Sequence, residues 1–423
     1  MGIYRTNLPL EEAKKLWFKT LHERLNPLSE ERIPVYLSAG RISSRPVWAQ
    51  ISSPFFHASA VDGYAVRFSE TSGASERTPV YLLSGRDAIR LDTGDPLPDG
   101  FNAVVMIEDV NVVKKDGMEY IELREALTPW QNVRIAGEDI IQGELILSEN
   151  ERITAFHIGA MLATKNTEVW VRRRPVTGII PTGTEMVEPE AELRSGNLIE
   201  FNSRFLGTLI EETGSEVKRY PIVPDDKGLL IKGLKKALEE CDLVLIIGGS
   251  SLGREDLTPE VISQMGEIIL HGVNIKPGKP VLLGMVRDKP VIGVPGYPVS
   301  AFISFRLFVR PLLYMLQALE PPEDEEIEAI LSRNIPSSLG QEEFIRLKVG
   351  SVSGKYIATP LARGAGLMSS LIKADALLQI PHNSEGIEAG SRIRVQLLKK
   401  REELLRTAVF IGSHDNTIDL IAT

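Results

Sequence analysis

Between residues 176 and 317 short apolar runs alternate with stretches of helical periodicity, and this alternation constrains the fold more than any other feature of the chain. Residues 176–180, 216–223, 243–247, 267–270, 281–285 and 291–294 are rich in Val, Ile and Leu and read as strands. Residues 202–213, 226–240 and 299–317 read as helices; the second carries Leu229, Leu230, Leu234, Ala237 and Leu238 at helical spacing. Strands separated by helices of roughly 10–15 residues are joined by crossovers rather than hairpins. That predicts a doubly wound, mostly parallel sheet with helices on both faces.

At 423 residues the chain can hold several domains. Residues 9–25 place Leu10, Ala13, Leu16, Trp17 and Leu21 at helical spacing, which predicts an amphipathic helix. From 49 to 140 the texture changes to short β-type runs (80–83, 102–107, 118–123) broken by turns such as Asp92-Thr93-Gly94-Asp95-Pro96. After a linker of prolines and acids at 321–326, five short runs at 327–331, 344–349, 356–359, 376–380 and 393–398 predict a small barrel or sandwich. The expected fold class is α/β plus β. The expected domains are an N-terminal linker and dimerisation domain (1–48 with 141–174), a mostly β insertion (49–140), an α/β domain (175–321) and a C-terminal β-barrel domain (322–404). Residues 405–423 read as the start of a further, truncated domain, or equally as a strand docking on the preceding fold.

Composition narrows the function classes. The net charge is −9 and no Lys/Arg block stands out beyond Arg172-Arg173-Arg174, so a nucleic-acid partner is not expected. Cys241 is the only cysteine, which precludes an intrachain disulfide and fits a reducing compartment. No signal-type segment and no apolar run of membrane-spanning length is evident, so no membrane partner is expected and a cytoplasmic location is. Met1-Gly2-Ile3-Tyr4-Arg5-Thr6 fits a loose myristoylation pattern, but no basic cluster supplies a second anchoring signal. The six histidines show no metal-ligand spacing, and no Gly-x-Ser-x-Gly elbow is present.

Chemistry concentrates where strands end. In open parallel sheets the ligand crevice lies beyond the carboxyl ends of the strands. Three segments occupy such ends: Pro181-Thr182-Gly183-Thr184-Glu185, then Gly248-Gly249-Ser250-Ser251-Leu252-Gly253-Arg254-Glu255-Asp256, then Ile275-Lys276-Pro277-Gly278-Lys279 with Pro295-Gly296-Tyr297-Pro298. Glycines let a phosphate approach the backbone, Ser250 and Ser251 can donate to it, and two lysines supply cationic charge. A helix that starts at the Pro-Gly-Tyr-Pro turn would also favour an anion at its N-terminus. The β insertion adds Asp62 within Ser59-Ala60-Val61-Asp62-Gly63-Tyr64, Thr93 within Asp92-Thr93-Gly94-Asp95, and Asp139 within Gly137-Glu138-Asp139-Ile140. Carboxylate oxygens with phosphates suit Mg²⁺ and suit zinc poorly.

Read together and in this order, these motifs resemble the molybdopterin molybdenumtransferases, whose eukaryotic relative is the C-terminal domain of gephyrin. The likeness runs from about residue 10 to residue 400. It implies a homodimer of four-domain subunits, with a site between the α/β domain of one subunit and the β insertion of the other. It also implies a reaction in which adenylated molybdopterin and molybdate, or tungstate, give the molybdenum cofactor and AMP, assisted by a divalent cation. Matched position by position, the family's catalytic acids fall on Asp62, Asp139, Glu185 and Asp256, and a further acid falls on Asp225 or Asp226. Asp256, Glu185 and Asp62 would hold Mg²⁺. Substrate would be bound by Thr93, Gly248, Gly249, Ser250, Ser251, Gly253, Lys276, Lys279, Pro295 and Pro298, with Arg346, Ser369 and Ser370 on the oxyanion side.

Five residues in four segments depart from the family pattern. His57-Ala58 replaces Asp-Asn, Thr184 replaces an acid, Phe201 replaces the Asp of an Asp-Ser-Asn segment, and Tyr297 replaces an Asn. These departures resemble a prokaryotic subgroup fused to a periplasmic-binding-protein-like domain. Enzymes that handle molybdopterin are the expected partners. The alternatives are a molybdopterin adenylyltransferase, which shares the α/β fold, and a non-catalytic cofactor-binding or scaffold protein.

Overall fold

A computed structural model describes residues 7–248 and 257–406. They form two compact units: residues 29–172, and the N-terminal segment up to Leu28 together with everything from Arg173 onward.

Helix α1 (Leu10–Arg24) buries Leu10, Ala13, Trp17 and Leu21 along one stripe, with Glu11 and Glu12 at its positive end and Arg24 near its negative end. The stripe joins the cluster that contains Leu270, Leu283 and Leu316, and Arg24 bonds Glu267 at 2.7 Å. This helix therefore belongs to the α/β core. That differs from the expected grouping of residues 1–48 with 141–174, because the apolar stripe is covered by the sheet. Only residues 29–48 share a unit with 141–172.

In the unit 29–172, strand Glu30–Pro34 pairs antiparallel with Glu168–Arg172. Helix α2 (Ala155–Ala163) opens on a capping box in which Thr154 and His157 satisfy each other's backbone amides. Val35, Leu147, Ile153, Met161, Val169 and Val171 make its core. The insertion holds two three-stranded sheets, one of Ala88–Leu91, Gly63–Val66 and Ala103–Met106, the other of Val80–Leu83, Met118–Leu123 and Val110–Lys115.

In the other unit a six-stranded sheet is built from β1 (Val176–Pro181), β2 (Glu216–Arg219), β3 (Leu243–Ile247), β4 (Glu267–His271), β5 (Leu282–Val286) and β6 (Lys289–Val294). The spatial order is β2-β1-β3-β6-β5-β4. The first four are mutually parallel; β5 and β4 are antiparallel additions at one edge. Helices α4 (Lys227–Glu240) and α5 (Thr258–Met265) cover one face, while α1, α3 (Asn202–Glu211), α6 (Pro298–Ser304) and α7 (Arg310–Leu316) cover the other. Between α6 and α7 a π-helical turn, Phe305–Val309, absorbs Pro311, which has no N–H to donate to the preceding turn. Against the expectation of no apolar run of membrane-spanning length, the continuous span Pro298–Leu316 is long and apolar enough to cross a membrane, with mean hydropathy 1.5. It is 67% buried against the sheet, as a core helix is.

Beyond the linker, β7 (Glu326–Leu331), β8 (Glu342–Val352), β9 (Lys355–Pro360), β10 (Ala376–Ile380) and β11 (Arg392–Leu397) close into a barrel in the order β8-β9-β7-β11-β10-β8. Of the two readings, barrel or sandwich, the barrel is the one adopted. The expected further domain at 405–423 falls almost wholly outside the described residues.

Candidate functional site

The carboxyl ends of β1, β3 and β6 carry three adjoining turns. Thr182 follows β1 and aims both its N–H (2.8 Å) and its hydroxyl (3.0 Å) at the Ile247 carbonyl at the end of β3. Gly248 follows β3 with φ +90°, and its N–H donates to Val294 at the end of β6. A Cβ at Gly248 would lie 2.9 Å from the Thr182 carbonyl oxygen, so only glycine lets these turns pack. From the third turn, the Gly296 carbonyl accepts a 2.6 Å bond from Asn202 Nδ2 at the start of α3. The rest of the Gly/Ser loop (Gly249, Ser250, Ser251, Gly253) and Asp256 lie outside the described residues.

Thr184, at the position of the missing acid, is tied to Asp225. Its N–H donates to Asp225 Oδ2 at 2.9 Å, and its hydroxyl accepts from the Asp225 N–H at 3.0 Å. Asp226 instead caps α4 by accepting the Leu229 N–H. The structure thereby separates the two candidates: Asp225 faces the loop that carries Glu185, and Asp226 holds a helix. Glu185 itself is exposed, at the start of an arm whose short strands Met186–Val187 and Leu198–Ile199 pair with each other. Arg219, at the end of β2, pins that arm. It bonds both oxygens of Glu188 (2.9 and 3.0 Å), Glu200 (3.1 Å) and the Ser203 hydroxyl (2.6 Å). Burial pushes the Glu188 pKa up, but its bonds to Arg219 and Arg204 outweigh that and hold it below the usual carboxylate value. Nothing in the periodicity of the sequence singles out Arg219.

The cationic side is built differently from expectation. Lys276 sits in strand Ile275–Lys276, which adds to the barrel with Lys276 opposite Glu343, and its ammonium lies 3.5 Å from Glu343. Lys279 is exposed, and Pro295 and Pro298 are buried beneath the turn. The N-terminus of α6 is partly spoken for: the Val299 N–H donates to Ala365 of the barrel segment 362–370. Arg346, expected to bind an oxyanion, is 1% exposed and bonds Ser370 Oγ and the carbonyls of Phe344, Ala362 and Gly364. A guanidinium so enclosed shapes the segment. Ser370 is likewise buried, donating to the Leu367 carbonyl, whereas Ser369 is exposed.

In the β insertion three motifs meet on one short strand, Ala58–Ser59. Residues 94–97 bond its one edge, with Gly94 N–H donating to Ser59 and Leu97 N–H to His57. Val133–Arg134 pairs with its other edge. His57 Nδ1 accepts the Ala136 N–H at 3.0 Å, a structural task for one of the departing residues. The result joins two predicted residues directly. The Thr93 N–H (2.7 Å) and hydroxyl (2.9 Å) both donate to Asp62 Oδ1. These two bonds, led by the backbone one, hold the Asp62 carboxyl below its usual value. Asp139 is exposed at the end of the third motif, its N–H bonded to the Ser53 carbonyl.

Comparison with known proteins places this geometry. The MoeA N-terminal region (domain I and II) matches residues 8–164, a probable molybdopterin binding domain matches 178–314, and the MoeA C-terminal region (domain IV) matches 328–398. A putative molybdopterin biosynthesis protein of Methanocaldococcus jannaschii is 36% identical over 417 residues, covering 94% of this chain and all of the relative. The chain belongs to the MoeA family. The molybdopterin molybdenumtransferase of Bacillus subtilis is 28% identical across 94% of this chain and 95% of its own length. Two crystal structures of the molybdopterin biosynthesis MoeA protein from Pyrococcus horikoshii cover 93% of this chain and all of theirs, at 32% and 31% identity and TM-scores of 0.79 and 0.68.

No group of three or more His, Cys, Asp or Glu side chains that could hold a metal ion occurs among the described residues, which exclude Asp256. Mg²⁺ nonetheless fits the chemistry of the donors present. Asp62 is held ionised, and its Oδ2 accepts neither of the bonds from Thr93.

Proposed function

We propose that this chain inserts molybdate or tungstate into adenylated molybdopterin, completing the cofactor with release of AMP. The observation that carries this reading is the succession along the chain of the MoeA N-terminal region, a probable molybdopterin binding domain and the MoeA C-terminal region, with transferases among the near-full-length relatives. The crevice supports it. Glycine-lined turns at Thr182, Gly248 and Gly296 give backbone access for a phosphate-bearing ligand, and Lys276 and Lys279 offset its charge. Preorganised cations and N–H groups act most strongly where charge builds up on a departing phosphate.

The groups proposed to hold Mg²⁺ are Asp256 and Glu185 of one subunit, with Asp62 supplied by the other subunit of the dimer. When bound, the ion would neutralise phosphate oxygens and stabilise the AMP that leaves. Asp62 acts through its ionised carboxylate, which Thr93 orients; the Asp225–Thr184 pair sets the backbone that presents Glu185. The location proposed is the cytoplasm, with molybdopterin-handling enzymes supplying the adenylated substrate.

A homodimer is part of the proposal. In the unit 29–172, Tyr36 and Leu37 (69% and 61% exposed) lie on a turn packed against α2, whose Phe156 is 88% exposed. Large apolar side chains clustered in water mark an interface. The deciding experiment mixes purified chain with adenylated molybdopterin, Mg²⁺ and molybdate or tungstate. AMP release that depends on the metalate is expected; bound pterin with no AMP release rejects the reading.

A further inference from the structure

In the β insertion, Trp130 occupies a backbone position that suits a residue without a side chain. Its φ is +63°, in the left-handed region, where glycine sits freely and a bulky residue is strained. Burial does not offset that cost, because the Trp130 side chain is 42% exposed. The loop holds it there all the same. The Trp130 N–H donates to the Asn102 carbonyl at 2.7 Å, the Val133 N–H to the Trp130 carbonyl at 3.2 Å, and the Asn132 side chain to the Val104 carbonyl at 3.0 Å. An exposed ring kept in a strained conformation by a well-bonded loop is the mark of a functional surface.

His57 packs on that ring, with centroids 5.0 Å apart and planes tilted by 40°. Because His57 Nδ1 accepts the Ala136 N–H at 3.0 Å, the neutral imidazole carries its proton on Nε2. The ring is half-buried, and Nε2 bonds no protein atom among the described residues. Indole and imidazole therefore present a π surface beside one oriented N–H donor. A flat heteroaromatic ring with acceptor nitrogens matches both: it can stack on the surface and accept from Nε2. The pair is also fastened to the loop of a proposed catalytic acid. The Ala60 N–H donates to the Asn132 carbonyl at 2.9 Å, a bond two residues from Trp130 and two from Asp62.

We propose that Trp130 and His57 form a stacking platform for the adenine base of the adenylated substrate and of the AMP that leaves. This rests on the reading of the chain as a metalate-inserting enzyme. In that reading Asp62 belongs to the phosphate end of the substrate and the α/β turns take the pterin, so adenine is the heterocycle left for the insertion. The platform adds affinity that molybdopterin without its adenylate cannot use, and so selects the activated substrate. It also gives the departure at His57 a role beyond its bond to Ala136.

The test titrates the full chain, with Mg²⁺ present, with AMP, ribose 5-phosphate and xanthopterin in a calorimeter. The parent chain should bind AMP about tenfold or more tightly than ribose 5-phosphate, which has the phosphate and no base. Trp130→Gly suits the left-handed backbone, so it should keep the parent's Tm; AMP binding should weaken about tenfold or more while ribose 5-phosphate binding stays as it was. Trp130→Phe should retain most of the AMP affinity. His57→Asn, whose side-chain oxygen can still accept the Ala136 N–H, should lose several-fold. A parent chain that binds AMP no better than ribose 5-phosphate overturns the proposal, as does equal AMP affinity in the parent and Trp130→Gly. Loss of xanthopterin binding with AMP binding kept overturns it too, since the platform would then hold the pterin. So does a Trp130→Gly variant that keeps AMP and no longer dimerises, because the indole would then be an interface residue. If the chain releases AMP from adenylated molybdopterin and Trp130→Gly does so with unchanged KM, the platform is wrong and the function stands. If AMP binding depends on Trp130 but metalate triggers no AMP release, the platform stands and the function is wrong.

Discussion

Asp62 shows how a single carboxylate is prepared for its role by its neighbours. Two hydrogen bonds from Thr93 depress its pKa, so it stays ionised to lower pH than an ordinary aspartate. The sign follows: the contribution is complete above the unfolded-state pKa and is lost as pH falls through the depressed folded value. Thr93→Val removes the hydroxyl donor and keeps the backbone one, so the acid limb of the rate–pH profile should move to higher pH. An unshifted limb would separate Asp62 ionisation from turnover. Gly248 is constrained by shape instead. Gly248→Ala places a Cβ 2.9 Å from the Thr182 carbonyl oxygen in a left-handed conformation. It should cost about 1–3 kcal/mol of stability, read by urea denaturation, and lower turnover further by spreading the three turns.

At the scale of elements, periodicity and position diverged in instructive ways. The α1 helix was legible from Leu10, Ala13, Trp17 and Leu21, but its partner was not, because an apolar stripe carries no label for the surface that covers it. Trp17→Ala should cost about 3–5 kcal/mol and loosen the α/β unit. Amide exchange across β4 (Glu267–His271), against which α1 packs, would report this, and unchanged protection there would return α1 to the other unit. The arm that begins at Glu185 depends on Arg219 through Glu188, Glu200 and Ser203. Arg219→Met leaves Glu200 buried without this cation, so faster exchange over residues 186–199 and a fall in kcat larger than any change in KM are expected. The Asp225–Asp226 pair makes the same point. Two adjacent acids look equivalent in sequence, and the start of α4 takes one as a cap and leaves the other facing the loop.

For the molecule as a whole, the exposed apolar group Tyr36, Leu37 and Phe156 should govern assembly. Phe156→Glu is expected to convert a dimer to a monomer in sedimentation equilibrium; a parent chain that is itself monomeric would refute the assembly. The alternation of strands and helices, the five barrel runs and the Gly- and Pro-marked turns were readable because each follows from local chemistry: backbone periodicity, glycine's φ and proline's missing donor. From these alone the sequence determined the α/β and β classes, the glycine-bearing turns at the strand ends and the motifs that carry the family resemblance. Only the tertiary structure decided what surrounds each cation. Arg346 is sealed by carbonyls brought from residues 344 to 364, while Lys276 and Arg363 meet on Glu343 across a strand pairing no local pattern encodes. Burial and hydrogen-bond partners arise from chain segments far apart in sequence, so a charged residue's role depends on what folding places around it.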